Sequence, residues 1–443
     1  MKRLQRETAG DARWSSSDGG VGPGRPELLR EVNARRVLRL LRLHGPCSRA
    51  DLVRSSGLSA PTISSGVAYL EKHGLVEPIG PGPSSGGRPP DLIRFNSKLG
   101  YVIGADIGTS VLRVALADLT GAVIEQNAQR IDSRTTPARV TDLIRESIGR
   151  LQEGQRVPAE KVLGLAAGVP GITDARAGVV LSAPILSAAW QDVRLRELLE
   201  TKTGIASVIE NDVNLAALGE SWRGTARSHA NFVFLTVGTG VGAGIFINGR
   251  LYHGSDWAAG EIGYLYVPGT EETPLAIRQP GSLESIIGAA AIRQSWLKLA
   301  DGNQERGAGS RRRISVEEIL DRAETGDSHA SQVLQRTARI LADAITNVSV
   351  VLNCSLIVLG GRVGSHPALF NATARIIQQN DFCRPRLALS ALGGEAALFG
   401  SICLALKAVD RKILPSTLEA AEPHSLEDAS GFLQPFLGLS VAE

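Results

Sequence analysis

Two glycine-rich turns, Gly104–Ser110 and Gly238–Gly244, each join two runs of β-branched and aliphatic residues, and they recur about 130 residues apart. Runs with helical periodicity alternate with these and further β-type runs from residue 101 to residue 409. Strands that alternate with helices predict an α/β body, because helices then cover the faces of the sheet. The repeated turn predicts that this body has two similar lobes.

The β-type runs that we predict to be strands are 101–107, 111–118, 162–169, 206–211, 232–237, 243–248, 262–267 and 355–359. The predicted helices of the body are 137–152, 192–203, 213–221, 284–300, 328–352 and 395–409. A chain of 443 residues predicts two or three domains at about 150 residues each. We place a disordered tail at 1–27, a DNA-binding domain at 28–95 with a wing and linker at 79–95, a small lobe at 96–212 plus 395–413, a large lobe at 213–394 and a loose tail at 414–443.

Composition excludes several classes of protein. The four cysteines are scattered without a CxxC pair, which favours reduced thiols over a disulfide framework or a thiolate zinc site. No run approaches the ~20 apolar residues of a membrane span, and no apolar signal region follows the first residues. We therefore expect a cytoplasmic protein with no membrane partner.

The charge of the chain is divided unevenly. Residues 1–100 hold 16 Lys and Arg against 9 Asp and Glu, although the net charge of the whole chain is only +3. A basic front on a slightly acidic body indicates an anionic partner such as nucleic acid. A solvated basic tail without a partner would give the same counts.

The basic front has the pattern of a helix-turn-helix. Residues 31–44 carry enough apolar positions, Val32 among them, for one buried helix. A second helix is predicted from Ser48, a capping hydroxyl with Asp51 three residues on, to Gly57. A third begins at Ser59, buries Ile63, Val67 and Leu70, and closes at Gly74. In a helix-turn-helix the later of the two helices, here the third helix, enters the major groove of DNA. A helical hairpin that binds protein would have the same pattern.

The outward face of the third helix would read the bases. Hydroxyls and methyl groups there suit base edges, but no arginine stands ready for a bidentate guanine contact, so base readout looks modest. The predicted base-facing residues are Ser59, Ala60, Pro61, Thr62, Ser64, Ser65 and Tyr69, and the predicted phosphate contacts are Arg35, Arg36, Arg49 and Arg54. Residues 75–77 and 92–95 would pair as a wing, whose loop carries Arg88 for a narrow A·T minor groove or forms a plain turn.

The body carries the pattern of a nucleotide-binding cleft. Both glycine-rich turns offer backbone N–H groups to phosphate, with Asp106 placed to hold a metal-bound nucleotide. Gly360-Gly361 after a predicted strand would border an adenine. Asp212, between the turns, could take a proton from a hydroxyl that attacks a phosphoryl group. Alone, each turn could be an ordinary hairpin and Asp212 a helix N-cap.

Taken together, these residues resemble the ROK family (repressor, open reading frame, kinase). The resemblance covers residues 30–410 and implies an α/β chain with an N-terminal winged helix-turn-helix followed by a two-lobed actin/hexokinase-like (ribonuclease H-like) sugar-kinase fold. It rests on an ordered set of motifs: Gly57-Leu58-Ser59, Gly86-Gly87-Arg88-Pro89-Pro90, Asp106-Ile107-Gly108, Gly168-Val169-Pro170-Gly171, 211–220, 238–244, Ala259-Gly260-Glu261-Ile262-Gly263 and Gly281-Ser282-Leu283-Glu284.

The resemblance implies roles for individual positions. Asp212 matches the catalytic base of the family's kinases. Asn211, Glu261 and Glu284 match contacts to sugar hydroxyls, beside Gly171 and Tyr264. The phosphate-contacting and nucleotide positions, which we read as vestigial, are Asp106, Gly108, Ser110, Thr239, Gly240 and Gly361.

Departures from the family pattern weaken the kinase interpretation. Where the family has one His and three Cys ligands for a structural zinc, this chain has Tyr264, Leu275, Ile277 and Ser282, so we expect no metal, with Leu275, Ile277 and Leu283 packing the loop instead. Tyr264 and Ile185 also replace two polar sugar contacts. Thr109 replaces the second glycine of the first phosphate turn, which disfavours close approach of a phosphate.

Two hypotheses follow. The first is a DNA-binding transcriptional regulator, acting as a repressor on a double-stranded operator, with the body sensing a sugar and joining a homodimer or tetramer; it has no catalytic activity and no cofactor. A variant of this hypothesis has a cleft that binds no sugar. The second is an ATP–Mg-dependent sugar kinase with Asp212 as base.

Overall fold

The computed structural model describes residues 26–83, 89–268, 280–301 and 314–413. The predicted tails at 1–25 and 414–443 lie outside the described residues. The chain forms two compact units, one ending at Phe95 and the other beginning at Asn96. None of the helices in the described ranges has both the length and the apolar composition of a membrane span.

The first unit is a winged helix. It contains α1 (Pro26–His44), β1 (Cys47–Ser48), α2 (Arg49–Ser56), α3 (Ala60–Lys72), β2 (Val76–Pro81) and β3 (Asp91–Phe95). The strands pair antiparallel in the order β1-β3-β2, and the wing hairpin matches the prediction, with Val76 opposite Phe95. The first helix begins at Pro26, two residues before the predicted start of this domain.

Local sequence sets the ends of α2 and α3 as predicted. The Ser48 Oγ accepts a hydrogen bond from the Asp51 N–H at 3.2 Å, and the Asp51 carboxylate accepts one from the Ser48 N–H at 2.8 Å. This capping box satisfies N–H groups that a helix start leaves open. Gly57 ends α2 in the left-handed region at φ 67°, and Ser59 caps α3.

The core of the first unit forms between α1 and α3. Ile63, Val67 and Leu70 of α3 are fully buried, as predicted. The α1 stripe that meets them is Ala34, Val37, Leu38 and Leu41, at helical i, i+3, i+4 and i+7 spacing. The prediction that Val32 lies inside is wrong: it falls off this stripe and remains 48% exposed.

The second unit consists of two lobes with the same sheet topology. The first sheet contains β4 (Tyr101–Ile107), β5 (Val111–Asp118), β6 (Val123–Arg130), β7 (Val162–Val169) and β10 (Ser207–Asn211) in the order β10-β7-β4-β5-β6. The second contains β11 (Phe232–Val237), β12 (Val241–Ile247), β13 (Arg250–Leu251), β14 (Leu356–Gly360) and β15 (Arg386–Leu389) in the order β13-β12-β11-β14-β15. In each sheet three antiparallel strands are followed by two parallel strands, which confirms the predicted pair of similar lobes.

Helices cover both sheets. The first lobe has α4 (Pro137–Gln155), α5 (Leu195–Thr203) and a small hairpin of β8 (Ile172–Asp174) and β9 (Val179–Ser182). The second lobe has α7 (Glu284–Ile287), α8 (Ala289–Asp301), α9 (Val316–Glu324), α10 (Ser328–Leu352) and α11 (Pro367–Gln378). Each lobe has its own cluster of buried apolar side chains.

Two further helices join the lobes. α6 (Asp212–Arg223) packs on β12, and α12 (Ala396–Ile413) packs on β4 and β7 of the other sheet. The two helices cross at glycines: a Cβ on Gly400 would lie 1.8 Å from the Leu215 carbonyl oxygen, and one on Gly219 would lie 2.3 Å from the Ala396 carbonyl oxygen. Only glycine permits this close approach.

Two predicted elements of the body are wrong. Residues 262–267 are a 3₁₀ turn (Ile262–Tyr264) and irregular chain instead of a strand, because the Tyr264 and Leu265 N–H groups bond back to the Glu261 and Ile262 carbonyls. The predicted helix 284–300 is interrupted at Gly288, which separates α7 from α8. The sequence analysis also missed α9, α11, β6, β8, β9, β13 and β15.

Candidate functional site

The face of α3 that the core leaves uncovered carries small polar and apolar side chains. The Ser59 Oγ and the Thr62 Oγ1 lie 2.8 Å apart at the start of the helix, so these two hydroxyls form a hydrogen bond with each other. Of the predicted base-facing residues, Ser59, Ala60, Pro61, Ser64 and Ser65 are exposed, whereas Thr62 and Tyr69 are half-buried. The structure therefore brings this predicted set together on one surface.

Two residues of the same face were missed by the sequence analysis. Ala68 and Lys72 are exposed, and they follow Pro61 and Ser65 at helical spacing. That spacing was the signal that could have found them. The Tyr69 ring packs against the His73 ring at 4.3 Å, so it lies along the end of the helix.

Of the predicted phosphate contacts, Arg36 donates to the Ser56 carbonyl at 2.6 Å, whereas two others have acidic partners. Arg49 forms an ion pair with Glu71 at 3.1 Å, and Arg54 pairs with Asp51. Both arginines remain substantially exposed, and exposed ion pairs of this kind contribute little to stability. They can therefore exchange a carboxylate for a phosphate at small cost. Arg88 lies outside the described residues.

The second unit holds a cavity of about 520 Å³ between its lobes. It is lined by both glycine-rich turns and by the first turn of α6. The predicted residues among its lining are Asp106, Gly108, Gly171, Asn211, Asp212, Thr239, Gly240, Glu261, Tyr264, Glu284 and Gly361. Ser110 does not line the cavity and is exposed, while Thr109 of the same turn lines it.

Asp212 lies in the first turn of α6. Its Oδ1 accepts a hydrogen bond from the Val213 N–H at 2.9 Å, while Asn211, not Asp212, is the N-cap of this helix. Burial raises the pKa of Asp212 to about 7, and the charge of Asp106 and then that of Glu261 add to the effect. A carboxyl group with such a pKa can take up or release a proton near neutral pH.

Asp106 has a cationic partner that the sequence analysis did not identify. Arg113 lies opposite it across the β4–β5 pair, and the Arg113 guanidinium donates to the Asp106 Oδ2 at 3.1 Å. Burial raises the pKa of Asp106 to about 6, against the opposing effect of Arg113. The antiparallel register, which the sequence does not specify, creates this pair.

Asn211 is held from both sides. Its Oδ1 accepts from the Asn214 N–H and its Nδ2 donates to the Gly171 carbonyl, both at 2.9 Å. Gly171 has φ 97°, and a Cβ there would lie 2.2 Å from the Ser182 carbonyl oxygen, so only glycine fits beneath the Asn211 amide.

The opposite wall of the cavity carries Glu261, Glu284 and Tyr264. Burial and then the charge of Glu284 raise the pKa of Glu261 to about 7. The Glu284 Oε2 accepts from the Val241 N–H at 2.9 Å, so this carboxylate is anchored to the second glycine-rich turn. Burial and the two carboxylates raise the pKa of the Tyr264 hydroxyl, which stays a neutral donor at neutral pH.

The model for the ROK family matches residues 102–408, well over half of the chain. The chain belongs to the ROK family. The model for the MarR family matches residues 31–83, and the first unit is accordingly a MarR-like winged helix.

Relatives of this ROK protein include regulators and kinases. The xylose repressor of Bacillus spizizenii is 29% identical over 349 residues, which are 78% of this chain and 86% of the repressor. A solved ROK family transcriptional regulator, a homolog of the E. coli MLC protein, shares the fold with a TM-score of 0.69 and 22% identity over 92% of this chain and 99% of that one. A ROK glucokinase from Streptomyces griseus, solved with glucose and AMPPNP, has a TM-score of 0.59 and 25% identity over 69% of this chain and 99% of the kinase.

Two of the positions that the resemblance matches to the family's zinc ligands lie within the described residues, at Tyr264 and Ser282. Tyr264 and Ser282 offer neither imidazole nor thiolate, which are the usual ligands of structural zinc. The Ser282 Oγ instead accepts from the Val267 N–H at 2.9 Å, and Leu283 is buried in the second-lobe core. Leu275 and Ile277 lie outside the described residues.

Proposed function

We propose that this ROK protein is a DNA-binding transcriptional regulator, a repressor, whose kinase-like body senses a sugar or a related small molecule. The observation that carries this proposal is a MarR-like winged helix, with an uncovered α3 face, in the same chain as a full ROK body. The similarity to the Bacillus spizizenii xylose repressor over 78% of the chain supports it.

In this proposal α3 enters the major groove. Ser64, Ser65 and Ala68 approach base edges, while Lys72 and the arginines released from their carboxylate partners contact phosphates. Arg88 of the wing loop takes a minor-groove contact. Because phosphate contacts dominate, operator affinity falls steeply with salt concentration.

We further propose that the protein acts as a homodimer or tetramer. Two DNA-reading heads must match the spacing of two half-sites, so an effector that favours one closure angle of the lobes changes operator affinity. The sugar would contact Asn211 and Asp212 on one wall of the cavity and Glu261, Tyr264 and Glu284 on the other.

Binding of the purified full chain to a labelled duplex from its own upstream region tests this function. We expect Ser65→Glu, which places a negative charge against the groove, to weaken binding at least tenfold. Ser133→Glu makes the same change at an exposed position of the second unit and serves as the control. Loss of binding in both variants, or in neither, contradicts the assignment of α3.

A sugar titration tests the sensing role. We expect D-xylose or D-glucose, the sugars named for the relatives above, to change the operator affinity of the wild-type chain. No change with either sugar and with a wider panel of pentoses, hexoses and sugar phosphates would support the variant in which the cleft binds no sugar.

We propose that the body needs no cofactor and has no catalytic role. The turns fit a magnesium nucleotide poorly, since Asp106 is paired with Arg113, and the Gly108 and Gly238 N–H groups close their own turns on Val111 and Gly240. Tyr264 and Ser282 do not fit zinc. These contacts support a regulator over an enzyme.

A sugar kinase is the second candidate, favoured by one observation. Asp212 lies in the cavity with a pKa raised by burial to about 7, which suits a general base. A coupled assay for ADP formation with ATP, Mg²⁺ and a sugar panel tests it. Turnover that Asp212→Asn abolishes would establish the kinase.

A further inference from the structure

Glu210, the residue before the cavity amide of Asn211, is a buried carboxylate at the point where the chain passes from β10 to α6. It is only 4% exposed. Its Oε1 accepts from the Asn211 N–H at 2.8 Å and from the Asn214 Nδ2 at 3.0 Å. Glu210 therefore fixes the backbone and the first helical turn that present Asn211 and Asp212 to the cavity.

The second oxygen of Glu210 reaches the other lobe. The His253 Nε2 lies 2.8 Å from the Glu210 Oε2, and His253 belongs to the segment that follows β13 of the second sheet. The segment returns to the cavity at Glu261, with the Ala259 N–H bonded to the His253 carbonyl at 3.1 Å. The His253 imidazole thus connects the wall that carries Asn211 and Asp212 to the loop that ends at Glu261 on the opposite wall.

The same loop contains a tryptophan in an unusual conformation. Trp257 has φ 62°, in the left-handed region that bulky residues rarely adopt. Its ring lies 5.0 Å from the His253 ring, centroid to centroid. The two rings meet at an angle of 59°, so the Trp257 ring packs beside the imidazole that meets Glu210.

We propose that His253 is a positioning residue of the effector site: its bond to Glu210 fixes the distance between the Asn211–Asp212 wall and the Glu261 wall. This proposal rests on the proposed sensing function and explains how the two walls of the effector site are positioned before the ligand binds. A sugar that contacts both walls then meets a preorganised cavity, and loss of the bond lowers its affinity because binding must order the two walls anew.

Two substitutions at His253 separate the bond from the fold. His253→Phe keeps a ring against Trp257 and removes the donor, whereas His253→Gln keeps a donor of similar reach. His366→Phe is the matched control, because His366 also pairs with a carboxylate, Asp321, at 3.1 Å, but away from the cavity.

Amide hydrogen exchange of the full chain without ligand gives the first readout. We expect His253→Phe to speed exchange at least tenfold in both 208–214 and 254–261, with His253→Gln close to wild type and His366→Phe unchanged in these two segments. Exchange that rises in one segment alone, or equally in the phenylalanine and glutamine variants, would overturn the proposal.

Affinity for the sugar that alters operator binding gives the second readout. We expect a loss of at least tenfold for His253→Phe, of less than threefold for His253→Gln and none for His366→Phe. If the wild-type chain responds to no sugar, the sensing function fails and the exchange result alone decides whether His253 joins the walls. If the chain does not bind DNA while the His253 variants give the expected exchange rates and sugar affinities, only the regulator assignment fails.

Discussion

Asp212→Asn should stabilise this protein, and the gain should depend on pH. The folded chain holds the Asp212 carboxyl at a pKa of about 7, through burial first and the charges of Asp106 and Glu261 next, whereas the unfolded chain has the ordinary pKa of an aspartate, 3.8. Between these values the folded state binds a proton that the unfolded state does not. The stability of the wild-type chain therefore falls as the pH rises from about 4 to about 7, and the full penalty is present above that range.

The magnitude follows from the shift. About three pKa units at 1.36 kcal/mol each give about 4 kcal/mol as an upper limit. Asp106 and Glu261, with raised pKa values of about 6 and about 7, take up protons in the same range, so removing one carboxylate recovers about half of this, about 2 kcal/mol. The asparagine keeps an oxygen for the Val213 N–H, which limits other losses.

Thermal melts of the full chain at pH 8.5 and pH 5.0 measure the effect. We expect the melting temperature of Asp212→Asn to exceed that of wild type by about 4 °C at pH 8.5 and by under about 2 °C at pH 5.0. Glu160→Gln, at an exposed carboxylate, should change neither value. An equal difference at both pH values, or a variant less stable than wild type at pH 8.5, refutes the electrostatic reasoning.

Three further predictions concern other parts of the chain. Gly400→Ala should lower the free energy of unfolding by about 2–4 kcal/mol, because the added Cβ would overlap the Leu215 carbonyl, whereas Gly149→Ala, with nothing within 4 Å in α4, should raise it by about 0.5–1 kcal/mol in urea titrations. Elemental analysis of the purified chain should find no stoichiometric zinc; a full equivalent would mean that the positions around 264–284 are wrongly matched to the family. Arg88→Ala should weaken operator binding most on A·T-rich flanks, and an equal loss on G·C-rich flanks contradicts the minor-groove contact.

Elements with strong local signals could be predicted from the sequence. Ser48 and Ser59 cap helices because their hydroxyls meet open N–H groups, and Gly57 ends α2 because it tolerates a positive φ. Buried strands such as Tyr101–Ile107 and Phe232–Val237 appear where the apolar runs predict them. These features depend on residues within a few positions of each other.

Elements decided by distant contacts could not be predicted. The apolar run at 262–267 has the composition of a strand, yet it begins with a 3₁₀ turn that packs against Val241 and Glu284. β6 carries alternating polar residues with no long apolar run, and only its pairing with β5 makes it a strand. In both cases tertiary context overrides local propensity.

The same distinction applies to the cavity. Asp212 and Glu261 were found because they lie in recognisable motifs. Arg113 was missed because its role depends on the register that sets it opposite Asp106, and Glu210 and His253 were missed because 43 residues separate them. A motif predicts which side chains face a ligand, whereas the partners that hold those side chains come from the fold.

The buried carboxylates of the cavity argue for a retained ligand. Asp106, Asp212 and Glu261 all have raised pKa values, so each destabilises the folded chain at neutral pH. A body that served only to hold two DNA-reading heads together would gain stability from a neutral side chain at any of these positions. Asp106 accepts from Arg113 and Asp212 from the Val213 N–H, and sugar hydroxyls would donate further hydrogen bonds to Asp212 and Glu261. The electrostatic strain therefore favours a sensing cavity over a purely structural body.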